Sequence, residues 1–522
     1  MSVFRFSGAA ALCLVVPGCG GDSTAPVKPA SVAAASTGSI TGTVGLPLTS
    51  PPQFVVRDAS GNALSNIAVT VAVTAGGGTL SGAPTKSSAG GTPVGSWTLG
   101  TTAGANTLTI TAGGLPPLTI NATGTAGVPT QLTVASGSAQ SGPAAGLLPQ
   151  PLVFKVGDQF NNGVAGVTVS FSVTAGGGSL AGGSGVSVGS AVADAITDAA
   201  GLAPAPAWTL GKSTNSQQLR AQAGSLLTTA TASVASNYKI EIRYFGPPVD
   251  ASIQAAFTAA AERIQGMVTG DVPDQPLTSF SVSGCGITGV GPLTETVDDL
   301  IVYANVAPID GVGKIFGSAG VCFTRTGGLA LIGVINFDVA DLQKIQAENQ
   351  LGDVVLHEML HTLGVGTLWA SKFLVSGSGT SNSVFTGVQA VSGCQFHGGG
   401  MNCTTTVPLE TTGSVGTRDV HWREKTSGSG FGFDTELMTG FIEAPGIPMP
   451  LSRMTIGSLA DLGYVVNQAP YDAYSVASAL VAGFSAIREA QGNGKIELND
   501  AVREPIGTVD RAGRVTLIKL RR

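Results

Sequence analysis

An internal repeat constrains the fold of this chain more than any other feature of its sequence. The string VTAGGGTL at Val73–Leu80 returns as VTAGGGSL at Val173–Leu180, and WTLG at Trp97–Gly100 returns at Trp208–Gly211. A period of about 100 residues is too long for a solenoid repeat and is typical of a duplicated domain. The sequence therefore predicts two copies of one domain in the first half of the chain.

Each copy has the pattern of a β-sandwich. Apolar residues occupy every second position from Val167 to Val173, with Thr or Ser between them. This alternation is typical of a strand with one buried face. The chain has 75 glycines among 522 residues, which suits many short strands joined by turns. A chain of this length needs several cores, and we expect the two sandwiches at residues 39–127 and 128–236.

A turn motif also belongs to the repeat. Asp58 and Asp158 each begin a turn rich in Gly and Asn. Asp in such a turn accepts hydrogen bonds from its own backbone, so we expect turn formation and not metal binding. Together with the alternating strand, the triple-glycine turn and the WTLG strand, this motif resembles the bacterial immunoglobulin-like domains of the invasin and intimin type. The resemblance implies a spacer, or an adhesive stalk that contacts surface ligands.

Charge and hydropathy exclude two classes of partner. The net charge is −6 and charged residues make up 11% of the chain, so no basic surface for nucleic acid is expected. No stretch reaches the roughly 18 apolar residues that a membrane-spanning helix needs.

The first 19 residues resemble a bacterial lipoprotein signal peptide. Arg5 gives a positive start, Gly8–Val16 is a short apolar run, and Cys19 ends the sequence VPGC. The resemblance implies cleavage before Cys19 and a lipid anchor on its thiol, at the outer membrane or cell surface of a bacterium. Residues 20–38, rich in Ser, Thr, Ala and Pro, are expected to form a flexible tether. The alternative is an ordinary secretory signal and a secreted protein.

Export predicts disulfides. Once Cys13 and Cys19 are set aside, an even number of cysteines remains, which in an exported protein is typical of disulfide pairs. Pairing of sequence neighbours gives Cys285–Cys322 and Cys394–Cys403. Two other pairings, and free buried thiols, remain as alternatives.

From Tyr238 onward the pattern changes, and residues 237–467 are expected to form an α+β segment. Predicted strands and helices in this segment are Lys239–Tyr244, Asp250–Val268 (helix, with Asp250 as N-cap), Leu300–Ala304, Leu331–Phe337 and Asp353–Leu363 (helix). Residues 468–522 form a C-terminal extension, with a predicted helix at 475–489 and a hairpin that turns at Arg511–Gly513.

The string HEMLH at His357–His361 carries the strongest chemical signal. On a helix, residues four apart share one face and lie about 6 Å apart along the axis. His357 and His361 can therefore bind one zinc ion. Glu358 lies beside them, where a carboxylate can accept a proton from water. Two incidental histidines on a helix are the less favoured interpretation.

Gly364 indicates where a third ligand comes from. A glycine here allows a left-handed cap that ends the helix, after which the chain can turn toward the metal. Residues 375–430 are rich in Gly, Ser and Thr and lack a helical ligand pattern, so a loop histidine fits best. His397 and His421 are the two candidates. His397 lies in the sequence FHGGG, in a loop that we expect to face solvent.

Together with residues downstream, this segment resembles the leishmanolysin family of metzincin zinc peptidases. His421 is followed by Trp422, and an ELM sequence places Met438 17 residues after His421. The resemblance covers roughly residues 237–467 and implies an α+β metzincin-type fold. It also implies that His421 is the third zinc ligand and that Met438 forms a turn beneath the metal. The stretch between His421 and Met438 is expanded relative to the family, and no cysteine-switch segment is evident.

The implied activity is hydrolysis of peptide bonds in extracellular proteins, with one zinc ion and with Glu358 as general base. The main alternative is a surface adhesin with an inactive, peptidase-like head, which the intact Glu358 disfavours. A GxSxG match at Gly185–Gly189 has the pattern of a serine hydrolase. It lies in a Gly- and Ser-rich part of a sandwich repeat and not at a strand–turn–helix junction, so it is a weak signal.

Overall fold

A computed structural model describes residues 27–36, 38–181, 193–313, 315–414, 416–424, 431–476, 496–498 and 501–518. Contacts divide the chain into two compact units. The first contains residues up to Gln131 together with Gly157–Val164, and the second contains Leu132–Val156 and everything from Ala165 onward. The lipoprotein signal with Cys19 and the GxSxG match fall outside the described residues.

The first unit contains a β-sandwich. Its strands are β1 Ser31–Ala34, β2 Ile40–Thr43, β3 Gln53–Arg57, β4 Val69–Ala75, β5 Thr79–Ser81, β6 Thr92–Pro93, β7 Ser96–Thr98, β8 Gly104–Ala112 and β9 Leu118–Thr125. They form sheets ordered β1-β3-β6 and β2-β9-β8-β4, with β5 and β7 as a separate pair. Phe54 and Val56 of one sheet share a buried core with Leu108 and Ile110 of the other. Strands β4, β8 and β9 bury alternate side chains over most of their length, as the period-2 pattern predicts, whereas β3 buries three in a row.

A second β-sandwich follows. Its strands are β10 Gln131–Ser136, β11 Gln140–Gly142, β12 Val153–Gly157, β13 Thr168–Ala175, β14 Ser179–Leu180, β15 Ala193–Ile196, β16 Leu202–Pro204, β17 Trp208–Thr209, β18 Gln217–Ala223 and β19 Leu226–Val234. The sheets are ordered β10-β12-β16 and β11-β19-β18-β13-β15, with β14 and β17 as a pair. Trp208 lies opposite Leu180, just as Trp97 lies opposite Leu80 in the first copy. The repeated strings therefore take the same structure in both sandwiches.

The repeated glycines have a steric reason. Gly76 and Gly176 have φ values of 90° and 89°, in the left-handed region that disfavours side chains. A Cβ at Gly100 or Gly211 would collide with the carbonyl oxygen of Gly76 or Gly176. The triple-glycine turn and the WTLG strand are thus repeated together because their backbones touch.

The two Asp turns have the predicted role. Oδ1 of Asp58 accepts hydrogen bonds from the backbone N–H groups of Ser60 and Asn62, at 2.9 and 2.8 Å. Oδ1 of Asp158 accepts the corresponding bonds from Phe160 and Asn162, both at 2.9 Å. The prediction that these carboxylates form turns is confirmed.

The remainder of the chain mixes helices and strands. These elements are β20 Ile240–Tyr244, α1 Ala251–Met267, β21 Gln275–Phe280, β22 Leu293–Val297, β23 Leu300–Ala307, β24 Gly317–Arg325, β25 Ala330–Asp338, α2 Val339–Ala347, α3 Leu351–Leu363, β26 Val375–Ser376, β27 Val384–Phe385, α4 Val388–Phe396, β28 Val407–Pro408, β29 Phe441–Ile442, α5 Arg453–Leu462, β30 Ile496–Glu497, β31 Gly507–Val509 and β32 Val515–Leu517. The fold class is confirmed as multidomain, with an all-β N-terminal region before a helix-containing C-terminal domain.

One sheet organises this domain. Its order is β20-β23-β25-β24-β31-β32. β20, β23 and β25 run parallel, and β24 is antiparallel to β25. Helix α3 lies so close against β25 that a Cβ at Gly333 would come within 2.6 Å of Cβ of Thr362. The sheet thus supports the helix that carries the HExxH string.

The predicted elements of this segment are present, with ends shifted by up to a few residues. Asp250 precedes α1 but makes no side-chain cap hydrogen bond. The predicted hairpin near Arg511 joins β31 to β32, which add to the edge of the central sheet at β24. The predicted helix at 475–489 lies outside the described residues after Val476.

Two disulfides lie in the C-terminal domain. Cys285 pairs with Cys322, and Cys394 pairs with Cys403, with Cα–Cα distances of 5.8 and 6.0 Å. These are the two pairs predicted from the sequence by joining each cysteine to the next one along the chain. Within the described part of the chain, no helix is both long enough and apolar enough to span a membrane.

Candidate active site

Helix α3 supplies two of the histidines and the glutamate. Every residue from Val354 to Leu363 is buried, which is unusual for a helix with two histidines and a glutamate on it. The helix ends at Gly364, whose φ is 115° and whose N–H bonds to the carbonyl oxygens of Leu360 and His361. A left-handed glycine cap of this kind satisfies carbonyls at a helix end.

A second glycine allows the next part of the site to approach. Gly366 has a φ of 76°, and a Cβ there would collide with the carbonyl oxygen of Val420. Val420 directly precedes His421. The missing side chain therefore lets the loop that carries His421 pack against the end of α3.

Three imidazole rings meet at this point. The Nε2 atoms of His357, His361 and His421 lie 3.1 Å from one another in all three pairs. The rings are almost completely buried, with exposures of 2%, 0% and 0%. The structure thus brings together residues that are 60 and 64 positions apart in sequence.

The other nitrogen of each ring bonds to a backbone carbonyl. Nδ1 of His357 donates to the carbonyl oxygen of Leu437 at 2.7 Å. Nδ1 of His361 donates to that of Val365 at 2.8 Å, and Nδ1 of His421 donates to that of Thr417 at 3.2 Å. Because a carbonyl oxygen can only accept, each proton lies on Nδ1 and each lone pair on Nε2. Three lone pairs therefore converge on one point.

This arrangement fits a zinc ion. Zinc binds neutral imidazole at about 2.0–2.1 Å and prefers a tetrahedron, whose ligand–ligand edge is then about 3.4 Å. The observed separations of 3.1 Å are close to that edge. Burial is the main cause that holds the pKa of His421 well below its usual value, and electrostatic repulsion from His361 adds to it. A low pKa favours the neutral form that a metal ligand needs.

Glu358 completes the set on α3. Its side chain has 0% exposure, and it directly follows His357 in the helix. A buried carboxylate beside a metal site can act as a general base.

Trp422 fixes the chain next to His421. Its indole packs against Trp369 and Phe385, with ring centroids 4.6 and 5.4 Å away. The indole N–H donates to Oγ1 of Thr455 at 2.8 Å, and the backbone N–H donates to the carbonyl oxygen of Met438 at 3.0 Å. Trp422 thus anchors the chain after His421 in the core.

The turn containing Met438 lies against the histidines. The side chain of Met438 is fully buried. Leu437, one residue earlier, supplies the carbonyl that holds His357. A Cβ at Gly440 would lie 3.7 Å from Cγ of His421. The same short turn therefore holds His357 and passes close to the ring of His421.

His397 is not part of the cluster. Its Nδ1 donates to the carbonyl oxygen of Tyr474 and its Nε2 accepts from the N–H of Arg453, both at 2.9 Å. The side chain is only 4% exposed, and burial lowers its pKa. The loop around His397 faces solvent as expected, with Met401 91% exposed, but His397 itself is buried, because segments distant in sequence pack against it.

Other groups of possible metal ligands in the described residues contain only carboxylates. They are Asp271, Asp298 and Asp299, and Glu424, Asp434 and Glu443. Imidazole suits zinc, whereas all-oxygen sets suit harder cations. The three histidines are therefore the candidate zinc centre.

The backbone carbonyls of Leu437, Val365 and Thr417 were not predictable from sequence, since every residue carries one. Glu436 was also missed, although it begins the ELM sequence. Its carboxylate is 1% exposed and lies next to the turn that holds His357. A charged residue inside an apolar stretch is the signal that could have drawn attention to it.

Comparison with solved structures finds resemblances in the N-terminal region. The adhesin InvE of Yersinia pseudotuberculosis is 20% identical, with a TM-score of 0.20, over 39% of this chain and 58% of that one. Invasin, a bacterial integrin-binding protein, is 17% identical, with a TM-score of 0.20, over 43% of this chain and 41% of that one. Domains 4 and 5 of the S-layer protein SbsC are 13% identical, with a TM-score of 0.19, over 40% of this chain and 98% of that one. This chain thus spans less than two thirds of InvE and of invasin.

No curated protein matches the chain. Residues 279–484 match the family model of leishmanolysin, Peptidase_M8. The matched range contains the three clustered histidines, Glu358 and Met438. The C-terminal part of this chain is therefore similar to the leishmanolysin peptidase family.

Proposed function

We propose that this chain is a zinc-dependent endopeptidase that cleaves extracellular proteins. The family match supports a metallopeptidase. The observation that carries the finer proposal is the meeting of three Nε2 atoms at 3.1 Å beside the buried Glu358. In this proposal His357, His361 and His421 hold one zinc ion.

Zinc bound by three neutral histidines supplies a Lewis acid that activates water and polarises a peptide carbonyl. Residues of this chain carry out the other parts of the reaction. The three backbone carbonyls keep each ring turned with Nε2 inward. Glu358 accepts a proton from the attacking water and passes it to the leaving amine, as a general base and then a general acid.

We also propose that the peptidase works at a bacterial surface. The proposal rests on the lipoprotein-like sequence that ends at Cys19 and on the Ser- and Pro-rich residues 20–38. In this arrangement the sandwiches at 39–127 and 128–236 act as a stalk, and the peptidase domain spans roughly 237–467. Substrates would be proteins outside the cell, and the sandwiches could add contacts to surface ligands.

The function is tested with the purified mature chain. Its zinc content is measured by mass spectrometry, and cleavage of an unfolded protein is followed with and without 1,10-phenanthroline. We expect about one zinc ion per chain, cleavage that the chelator stops, and recovery after zinc is returned. A chain that binds zinc and cleaves nothing would instead favour the adhesin with an inactive head.

A further inference from the structure

We propose that Glu436 is a positioning residue that holds two zinc ligands, His357 and His421, through the backbone segments it joins. This inference rests on the proposed zinc peptidase function. Through its carboxylate, Glu436 forms hydrogen bonds with Met438, Ser452 and Thr455. It acts through the turn that contains Met438 and through Trp422.

The carboxylate of Glu436 is the centre of a buried hydrogen-bond network. Its Oε2 accepts from the N–H of Met438 at 2.6 Å. Its Oε1 accepts from the N–H of Ser452 at 3.1 Å and from the hydroxyls of Ser452 and Thr455, both at 2.6 Å. The side chain therefore ties its own turn to the start of helix α5, where Ser452 is the N-cap.

The direction of these bonds is fixed by the neighbours. Oγ of Ser452 accepts from the N–H of Thr455 at 3.2 Å, so its own proton is directed to Glu436. Oγ1 of Thr455 accepts from the indole N–H of Trp422 at 2.8 Å, and an indole nitrogen can only donate. The proton of Thr455 therefore also points to Glu436.

All four bonds thus run toward the carboxylate, and both of its oxygens act as acceptors. An ionised glutamate satisfies this arrangement, since it has acceptors alone. A glutamine does not, because one of its two positions is an NH₂ donor. At Oε2 that group would face the N–H of Met438, and at Oε1 it would face three donors.

The path to His357 is short. The bond from Met438 to Oε2 of Glu436 closes the turn around Leu437. The carbonyl oxygen of Leu437 then accepts from Nδ1 of His357 at 2.7 Å. A change in this turn therefore changes the orientation of one zinc ligand.

The path to His421 runs through the tryptophan. Thr455 joins Glu436 to the indole of Trp422, and the backbone N–H of Trp422 donates to the carbonyl oxygen of Met438 at 3.0 Å. Trp422 directly follows His421. One carboxylate thus sets the spacing between a helix ligand and a loop ligand.

Burial alone would not favour a carboxylate here. A buried charge is unfavourable unless donors surround it. In this site four donors do so, and the N-terminus of α5 adds a favourable dipole. The polar network fixes direction as well as distance, which apolar packing of the same volume does not.

The test compares Glu436→Gln and Thr455→Val with the full-length chain. Thr324→Val is the matched control, because its hydroxyl is also buried and bonds to Thr508 at 2.8 Å, in the sheet and outside this network. Zinc affinity is measured by competition with a chelating dye. The visible spectrum of the cobalt-substituted protein reports ligand geometry, and kcat, KM and the thermal midpoint are recorded for each protein.

We expect Glu436→Gln to lower zinc affinity by about 10- to 100-fold, the range for loss of a partner that orients a ligand. Its cobalt spectrum should change, and kcat should fall more than KM rises. Thr455→Val should show a smaller change in the same direction, and Thr455→Ser should restore the original values. Thr324→Val should lower the thermal midpoint alone.

A folded Glu436→Gln protein with unchanged zinc affinity and cobalt spectrum would overturn the positioning role. If that variant does not fold, the Thr455→Val and Thr455→Ser pair decides by the same measurements. A parent chain that neither binds zinc nor cleaves protein would instead refute the proposed function itself.

Discussion

The carbonyl oxygen of Leu437 accepts a hydrogen bond of 2.7 Å from Nδ1 of His357, a residue 80 positions earlier. This bond places the ring proton on Nδ1 and leaves the lone pair on Nε2, which faces the other histidines. Leu437 therefore shapes the site through a backbone atom, without a functional side chain. Val365 and Thr417 do the same for the other two rings. The affinity of the cluster for a cation thus depends on three backbone segments as well as on the histidines.

Glu358→Gln should keep zinc and fold but lose peptidase activity. Glutamine has nearly the same shape as glutamate and cannot accept the proton from water. A general base contributes about 10²- to 10⁴-fold to rate, so we expect kcat to fall by at least that factor. Zinc content and steady-state cleavage are measured on the same preparation.

The zinc measurement serves as the control for this variant. A metal-free Glu358→Gln protein would show that the mutation damaged the site, and the comparison would then be made at saturating zinc. Substantial turnover in a variant that holds its full zinc complement would refute the assignment of Glu358 as the base.

The two loop histidines should respond differently to substitution by alanine. His421→Ala removes one of three proposed ligands, so zinc affinity should fall by far more than the roughly 100-fold upper range for changes to partners of ligands. His397→Ala should retain its metal, because both nitrogens of His397 bond to the backbone of Tyr474 and Arg453.

His397→Ala should instead cost stability. It leaves a buried carbonyl and a buried N–H without their partner, and each such group costs about 1–3 kcal/mol. Metal analysis and urea denaturation of both variants separate the two effects. A zinc-free His397→Ala protein beside a metal-loaded His421→Ala protein would mean that the site is built from different ligands.

The helix of this site was predictable from sequence, and its surroundings were not. Apolar spacing and Gly364 are local signals, and they gave α3 to within two residues. His397 and His421 both follow α3 in segments without a spacing pattern of metal ligands, so local sequence could not choose between them. The burial of His397 depends on Tyr474, 77 residues away.

The edge of the central sheet shows the same limit. Thr324 of β24 bonds to Thr508 of β31 across 184 positions. The short β31 has no strong periodicity of its own, so pairing at such a distance leaves no local pattern to detect. The repeated Gly76 and Gly176 turns were predictable for the opposite reason, since their conformation is set within a few residues.

Cys19→Ser should release the mature protein from membranes. The thiol is the proposed site of lipid attachment, and the lipid is the anchor that the sequence predicts. Cell fractionation with detection of the peptidase domain measures the distribution. Continued membrane association of the Cys19→Ser protein would contradict the lipoprotein interpretation and would favour another means of attachment.

Asp353 provides a test of pH dependence. It lies in the first turn of α3, four residues before His357. Burial, and then the nearby charge of Asp472, raise the pKa of Asp353 from 3.8 to about 6. The folded chain thus binds this proton more tightly than the unfolded chain does. The resulting stabilisation is fully present below pH 3.8 and is lost as pH rises through about 6.

Asp353→Asn should therefore stabilise the protein at pH 8 and have little effect near pH 4, because the amide resembles the neutral acid at every pH. A shift of two pKa units corresponds to about 3 kcal/mol, and partial exposure of this side chain to solvent reduces the expected gain to about 1–2 kcal/mol. Urea denaturation at both pH values measures it, with the exposed Asp194→Asn as control. An equal gain at pH 4 and pH 8 would show that the effect does not arise from ionisation of Asp353.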